Sequence, residues 1–208
     1  IHALGQRILL DSLDALQRLQ QGGLGVLMAV NISKRQLFVR EFSGQIAAEV
    51  ARRGLQPRQL VLEVTESVAL HDVARGADHV QDLRRAGFLI AIDDFGTGYS
   101  SLSQLHEMSA VELKIDISFV RRLHEPAGRS MVQAIVNMAS ALGMNTVAEG
   151  VETQDTADIL AAMGVTCLQG YLFARPMPFA QLEAWLLDNA AQYGAGEAAH
   201  SLAAETGS

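Results

Sequence analysis

Short apolar runs alternate with amphipathic stretches along nearly the whole chain, and most of those stretches stop at a glycine. Ile1, Leu4, Ile8, Leu13, Leu16 and Leu19 fall near helical spacing and end at Gly22-Gly23, a helix-stop signal. The run from Val26 to Val30 then has the length and composition of a buried strand. The pattern recurs: a helix through Phe42, Ile46 and Val50 to Gly54, then the strand Leu60 to Val64. A helix through Val73, Val80 and Leu83 to Gly87 precedes the strand Phe88 to Ile92. A short helix leads to Val111–Asp116, and a longer one through Val132, Ile135, Met138, Ala139 and Leu142 leads to Thr146–Ala148. A helix with Ile159 and Met163 precedes Thr166–Gln169, and a last helix carries Leu182, Trp185 and Leu186. Six strand-then-helix units thus follow one leading helix, which predicts a parallel sheet covered by helices. Two architectures fit: an open doubly wound sheet, or a barrel of the triosephosphate isomerase kind. Residues 191–208, rich in Gly, Ala, Glu and Ser, are expected to be a disordered tail.

Composition narrows the function classes. A chain of 208 residues supports one well-filled core. A formal net charge of −7 argues against a DNA or RNA duplex as partner, because backbone binding needs a positive surface. A small nucleotide held through cations stays open. The single cysteine, Cys167, cannot form an internal disulfide, which favours a cytoplasmic setting, and its apolar neighbours predict a buried, inert thiol. No apolar run reaches the roughly 18 residues of a membrane span.

The polar residues fall in a pattern of their own. Asn31 closes the first strand, Glu63 lies inside the second with Glu66 shortly after, and Asp93-Asp94 end the third. Lys114 and Asp116 end the fourth, Glu149 the fifth with Glu152 following, and Gln169 the sixth. In a parallel α/β fold these ends share one face, where sites are built. A single acid after a strand is most often a helix N-cap, as expected for Asp72. Capping explains neither a carboxylate within a strand nor two adjacent acids beside a buried run. Hard oxygen ligands without His or Cys suit Mg²⁺, Mn²⁺ or Ca²⁺ and argue against zinc or copper. One of two adjacent aspartates can bridge a metal pair that cleaves phosphate esters, with a lysine stabilising developing charge. A Schiff-base role for Lys114 would need a lowered pKa, and the surrounding carboxylates push the other way. The loop Asp94-Phe95-Gly96-Thr97-Gly98-Tyr99-Ser100-Ser101 lacks the lysine of a P-loop and is expected to be a mobile gate.

Six segments taken in order carry a family resemblance: Val30-Asn31-Ile32-Ser33, Leu62-Glu63-Val64-Thr65-Glu66-Ser67, Ile92 through Leu102, Leu113-Lys114-Ile115-Asp116, Ala148-Glu149-Gly150-Val151-Glu152 and Gln169-Gly170-Tyr171. The series resembles that of the EAL-domain phosphodiesterases, and the match runs from Ile1 to about Leu187. The resemblance implies a TIM-like (β/α)₈ barrel with six of its eight strands present, a domain over residues 1–190, and hydrolysis of cyclic di-GMP to linear pGpG with two Mg²⁺ or Mn²⁺ ions. It implies that Asn31, Glu63 and Asp93 hold one ion and that Asp93, Asp94 and Glu149 hold the second. Lys114 would lie near the attacking water, and Glu66 would anchor the loop after Asp94. Asp116, Glu152, Gln169, Tyr171 and Pro176 would line the substrate or support the site. The Glu-Ala-Leu segment that names the family, with the first two strands, does not occur in this sequence. The expectation is therefore a longer working protein, with sensory or GGDEF-type domains, acting as a homodimer. A catalytically inactive module that binds cyclic di-GMP is the alternative.

Overall fold

The computed structural model describes residues 2–70, 76–96, 105, 108 and 110–193. Asp72 and Val73, most of the loop after Gly96, most of the short helix before Val111, and residues 194–208 lie outside the described residues, while residues 191–193 of the expected tail are helical. The leading helix α1 is His2–Gln21 and is followed by β1, Met28–Asn31. Then come α2 (Lys34–Leu37), α3 (Phe42–Arg52), β2 (Leu60–Thr65), α4 (Glu66–Leu70), α5 (Gly76–Arg85) and β3 (Leu89–Phe95). The chain continues with β4 (Glu112–Ile115), α6 (Ile117–Val120), α7 (Pro126–Ala141), β5 (Asn145–Ala148), α8 (Gln154–Ala162), β6 (Cys167–Leu168) and α9 (Phe179–Tyr193).

The strands pair in sequence order, β1-β2-β3-β4-β5-β6, and β3-β4, β4-β5 and β5-β6 are parallel. A doubly wound sheet reverses its strand order at a switch point. Strictly sequential order has no such point, which removes that architecture and leaves the winding of a TIM-like α/β fold.

The chain divides into two compact units. The first is built from the described parts of Ile1–Leu62, Asp78–Leu89 and Pro176–Ser208. Its core collects Leu13, Leu16 and Leu19 of α1, Ile46 and Val50 of α3, and Val80 and Leu83 of α5, the apolar stripes that helical spacing presents on one face. Helix α1 ends as the sequence predicts: Gly23 has φ 78°, and the Leu24 amide donates to the Leu19 carbonyl at 2.9 Å, a Schellman-type stop. Arg53, just after α3, is buried and paired with Asp14 of α1 at 2.7 Å and with Glu49 of α3.

The second unit, Glu63–Ala77 and Ile90–Arg175, carries the C-terminal part of β2 and most of β3 to β6. Helix α7 buries Val132, Ile135, Val136 and Ala139, so Val136 takes the place that spacing gave to Met138. Two further expectations need correction. Strand β3 extends to Phe95, so Asp93 and Asp94 sit within the pairing rather than after it. Cys167 is exposed; it lies in the two-residue strand β6, the last in the strand order among the described residues.

Candidate active site

Alternation within β4 starts the site. Period-2 pleating puts Glu112 and Lys114 on one face and Leu113 and Ile115 on the other. Lys114 is 4% exposed, and its Nζ lies 3.0 Å from Glu63 Oε1, 3.1 Å from Asp93 Oδ1 and 2.7 Å from Glu149 Oε1. These carboxylates come from three places in the strand series: within β2, within β3 and just past β5. Burial alone would drive the lysine proton off. Hydrogen bonds to Glu149 and Glu63 and the fields of both acids override it and hold the ammonium well above its ordinary value. That setting excludes the neutral amine a Schiff base needs. Glu63 is pushed the other way: burial raises its carboxyl, the charges of Asp93 and Glu149 add to that, and Lys114 opposes it.

A bulge presents the adjacent aspartates. Ile92 pairs with Leu113 and Phe95 with Ile115, so Asp93 and Asp94 together oppose Lys114. An extra residue of this kind bends a strand and re-aims its side chains. Asp94 takes φ 55° and is the one non-glycine with positive φ among the described residues, a conformation that Asp tolerates better than most side chains. Its carboxyl is raised by partial burial and by the charges of Asp93 and Asp116.

Glu66 lies at the start of α4. It is 2% exposed and accepts the Gly96 amide at 2.9 Å, fixing the start of the loop that follows β3. Gly96 has φ 95°, and a Cβ there would lie 2.8 Å from the Phe119 ring, so no other residue fits that anchor. Glu149 is set by its amide, which donates to the Ile115 carbonyl at 3.2 Å. It is followed by Gly150, where a Cβ would meet Ile117 at 2.2 Å.

The remaining expected residues fall into separate settings. Asp116 caps α6, its Oδ1 accepting from the Ser118 amide at 2.9 Å, and lies close enough to influence Asp94. Glu152 and Gln169 are exposed. The Gln169 main chain bonds to Ala148 and Val151, its amide donating at 2.8 Å and its carbonyl accepting at 3.0 Å. Tyr171 is 51% exposed beneath the Arg175 guanidinium, 4.4 Å from its ring centroid. Asn31, the last residue of β1, and Pro176 are exposed and belong to the other unit.

Sequence reasoning missed Glu112, an interior acid two residues before Lys114. Its carboxyl is raised by burial and by the charge of Glu63, against the opposing pull of Lys114. The polar-apolar alternation of β4 carried that signal. It also missed Arg175, whose role depends on a turn no periodicity reports.

The cluster fits a divalent cation on two counts. Its donors are hard carboxylate oxygens, and Asp93 Oδ1 is buried without a hydrogen-bond partner, the sole such side-chain atom among the described residues. At 3.1 Å it neighbours the ammonium without accepting from it. A buried oxygen without a hydrogen bond is costly, and here the ammonium's charge offsets that cost only in part. As the side chains stand, no three of the described His, Cys, Asp or Glu form a ready metal cage, since the lysine fills the space between them.

A buried lysine ringed by buried and half-buried carboxylates toward the C-terminal ends of parallel strands makes this a candidate cation-dependent catalytic domain on a TIM-like scaffold. The chain belongs to the EAL domain family, whose model matches residues 1–176. It is 42% identical over 156 residues to MucR of Pseudomonas aeruginosa, a bifunctional diguanylate cyclase/cyclic di-GMP phosphodiesterase, covering 74% of this chain and 23% of the relative. To the cyclic di-GMP phosphodiesterase PdeR of Escherichia coli it is 35% identical over 183 residues, 88% of this chain and 28% of PdeR. The chain thus spans about a quarter of the length of these relatives. The PaMucR phosphodiesterase in complex with c-di-GMP superimposes with a TM-score of 0.84 at 38% identity, over 88% of this chain and 74% of that one. The manganese and cyclic di-GMP complex of BlrP1 from Klebsiella pneumoniae gives 0.74 at 32% identity, over 82% and 44%. Among the described residues no helix is long and apolar enough to cross a membrane.

Proposed function

We propose that this domain is a phosphodiesterase that opens cyclic di-GMP to linear pGpG, using two Mg²⁺ or Mn²⁺ ions. The observation that carries this reading is the Lys114 cluster: one buried and two half-buried carboxylates on one ammonium, with Asp93 Oδ1 left without a hydrogen bond. The family membership and the activities of MucR and PdeR support the substrate.

In this reading Glu63, Asp93, Asp94 and Glu149 would hold the ions, and Asn31 is assigned by motif resemblance. Bound there, divalent cations would supply activation of a water and charge neutralisation at the phosphoryl group. The protein's own part is positional. The β3 bulge presents two acids side by side, and Gly150 lets Glu149 approach the same point. Glu66 pins the loop after β3 through the Gly96 amide. Lys114, kept as an ammonium, orients the attacking water and stabilises negative charge rather than serving as a base. Water adds at phosphorus, one ribose ester bond breaks, and the departing oxygen takes up a proton. Asp116, Glu152, Gln169, Tyr171 and Pro176 are assigned to the substrate or to supporting the site. We further propose a domain over residues 1–190, a homodimer, sensory or GGDEF-type neighbours in a longer chain, and a cytoplasmic location.

The test is nucleotide analysis of the full-length protein incubated with cyclic di-GMP and Mn²⁺ or Mg²⁺. The expected product is pGpG. Folded protein that binds the nucleotide without turnover at saturating metal defeats the catalytic reading.

A further inference from the structure

We propose that Lys114 is the resident counter-ion of the acid cluster and that its ammonium must leave before a divalent cation can be held there, so that lysine and metal exclude each other. The proposal rests on the metal-dependent reading above and adds a competition within it. The oxygens nearest Nζ are Glu63 Oε1, Asp93 Oδ1 and Glu149 Oε1, at 2.7–3.1 Å. All three side chains are assigned to the metals. A hard cation takes such oxygens at about 2.0–2.6 Å. An ammonium in contact with the same three atoms leaves no room for a second positive charge, and like charges this close repel in a site where water screens poorly.

The cluster is also asymmetric. Lys114 hydrogen-bonds Glu149 and Glu63, while Asp93 Oδ1 stays unbonded. One positive charge therefore serves three carboxylates and satisfies two of them. Such an arrangement partly neutralises the acids and retains a drive to take up a stronger cation. Exposure gives the lysine its way out. The side chains are 9% exposed at Glu63, 13% at Asp93 and 21% at Glu149, so solvent lies on the Glu149 side. A four-carbon stem with freely rotating donors can swing that way without moving the strand. Displacement then delivers the ammonium to the open side, where an attacked phosphoryl group would sit.

The experiment titrates Mg²⁺ into the full-length protein and its Lys114→Met variant by calorimetry, with thermal unfolding alongside. Removing the competitor is expected to tighten Mg²⁺ binding at least tenfold. The variant should also melt lower than wild type without metal and gain more in Tm on saturation. In wild type, the Lys114 ammonium resonance, assigned through its side-chain carbons, should shift on adding Mg²⁺. Equal Mg²⁺ affinity in both proteins to within twofold, or an unmoved resonance at saturation, overturns the proposal and leaves the phosphodiesterase reading standing. No Mg²⁺ binding by either protein overturns the metal reading itself and this proposal with it. If Lys114→Met does not fold, the wild-type resonance and Lys114→Arg decide. The arginine variant keeps the charge and is expected to bind Mg²⁺ no more tightly than wild type; a tenfold gain there counts against competition.

Discussion

Two buried cations in this molecule are built in opposite ways. Arg53, 6% exposed at its side chain, meets Asp14 and Glu49, which are 60% and 37% exposed. Its carboxylates keep their water, and its guanidinium also bonds the Glu49 carbonyl at 3.1 Å. Lys114 is buried among carboxylates that are themselves 9–21% exposed, with an excess of negative charge. The first arrangement clips α1 to α3. The second is far costlier than a fold requires, since desolvated charge is recovered only by good pairing. Unbalanced buried charge at strand ends is what separates a site from a strut here.

That contrast can be broken at either end. The largest effect is expected from Asp93→Ala or Lys114→Ala, which should cut cyclic di-GMP hydrolysis by about 10²–10³-fold or more while circular dichroism shows the fold retained. Similar turnover to wild type would put the chemistry elsewhere. Alkaline pH comes next. A lysine held above its ordinary 10.5 in the folded state contributes stability that is full below pH 10.5 and lost as pH rises beyond it. Urea midpoints of the metal-free protein should fall over that range, and the step should be missing in Lys114→Met. Arg53→Met leaves only water-exposed carboxylates behind and should cost about 1–2 kcal/mol in urea unfolding, from lost packing and hydrogen bonds, and leave kcat of the folded protein unchanged. A fall in kcat would mean that the strut reaches the chemistry. Glu66→Ala removes the acceptor for the Gly96 amide, and should cost about 1–2 kcal/mol with roughly a tenfold fall in kcat/KM. Arg52→Ala breaks only an exposed pair with Glu49 at 2.8 Å and should move stability by less than about 0.5 kcal/mol.

The same contrast shows what the amino-acid order made legible. Glu63, Asp93, Lys114 and Glu149 were readable because each breaks an apolar strand at its C-terminal end, and parallel topology sends those ends to one face. Glu66 was placed by motif resemblance, and in the structure it accepts the Gly96 amide. Arg53 was invisible, because a lone arginine after a helix looks like any solvated residue until its partner, 39 positions away in α1, is known. Strand limits slipped for a local reason. Hydropathy ends β3 at Ile92, whereas pairing with β4 continues to Phe95 through two acids that no apolar pattern would include. Cys167 misled because its apolar neighbours say nothing about its own exposure. Asp116 was singled out for the site, and one of its oxygens also caps α6, a second role that its place after a strand could have signalled.

The bulge in β3 also governs how this site can decay. Loops absorb insertions and deletions readily, but between Ile92 and Phe95 the chain has no such freedom. Deleting one residue there would restore regular pairing with β4, leave a single acid across from Lys114 and shift the anchored Gly96 by one position. The paired aspartates therefore form an indivisible unit of length. Inheritance can erase their function one side chain at a time, through Asn, Ala or Gly, in proteins that still fold. A change of length at this point would remove both the acids' alignment and the loop's anchor in one step.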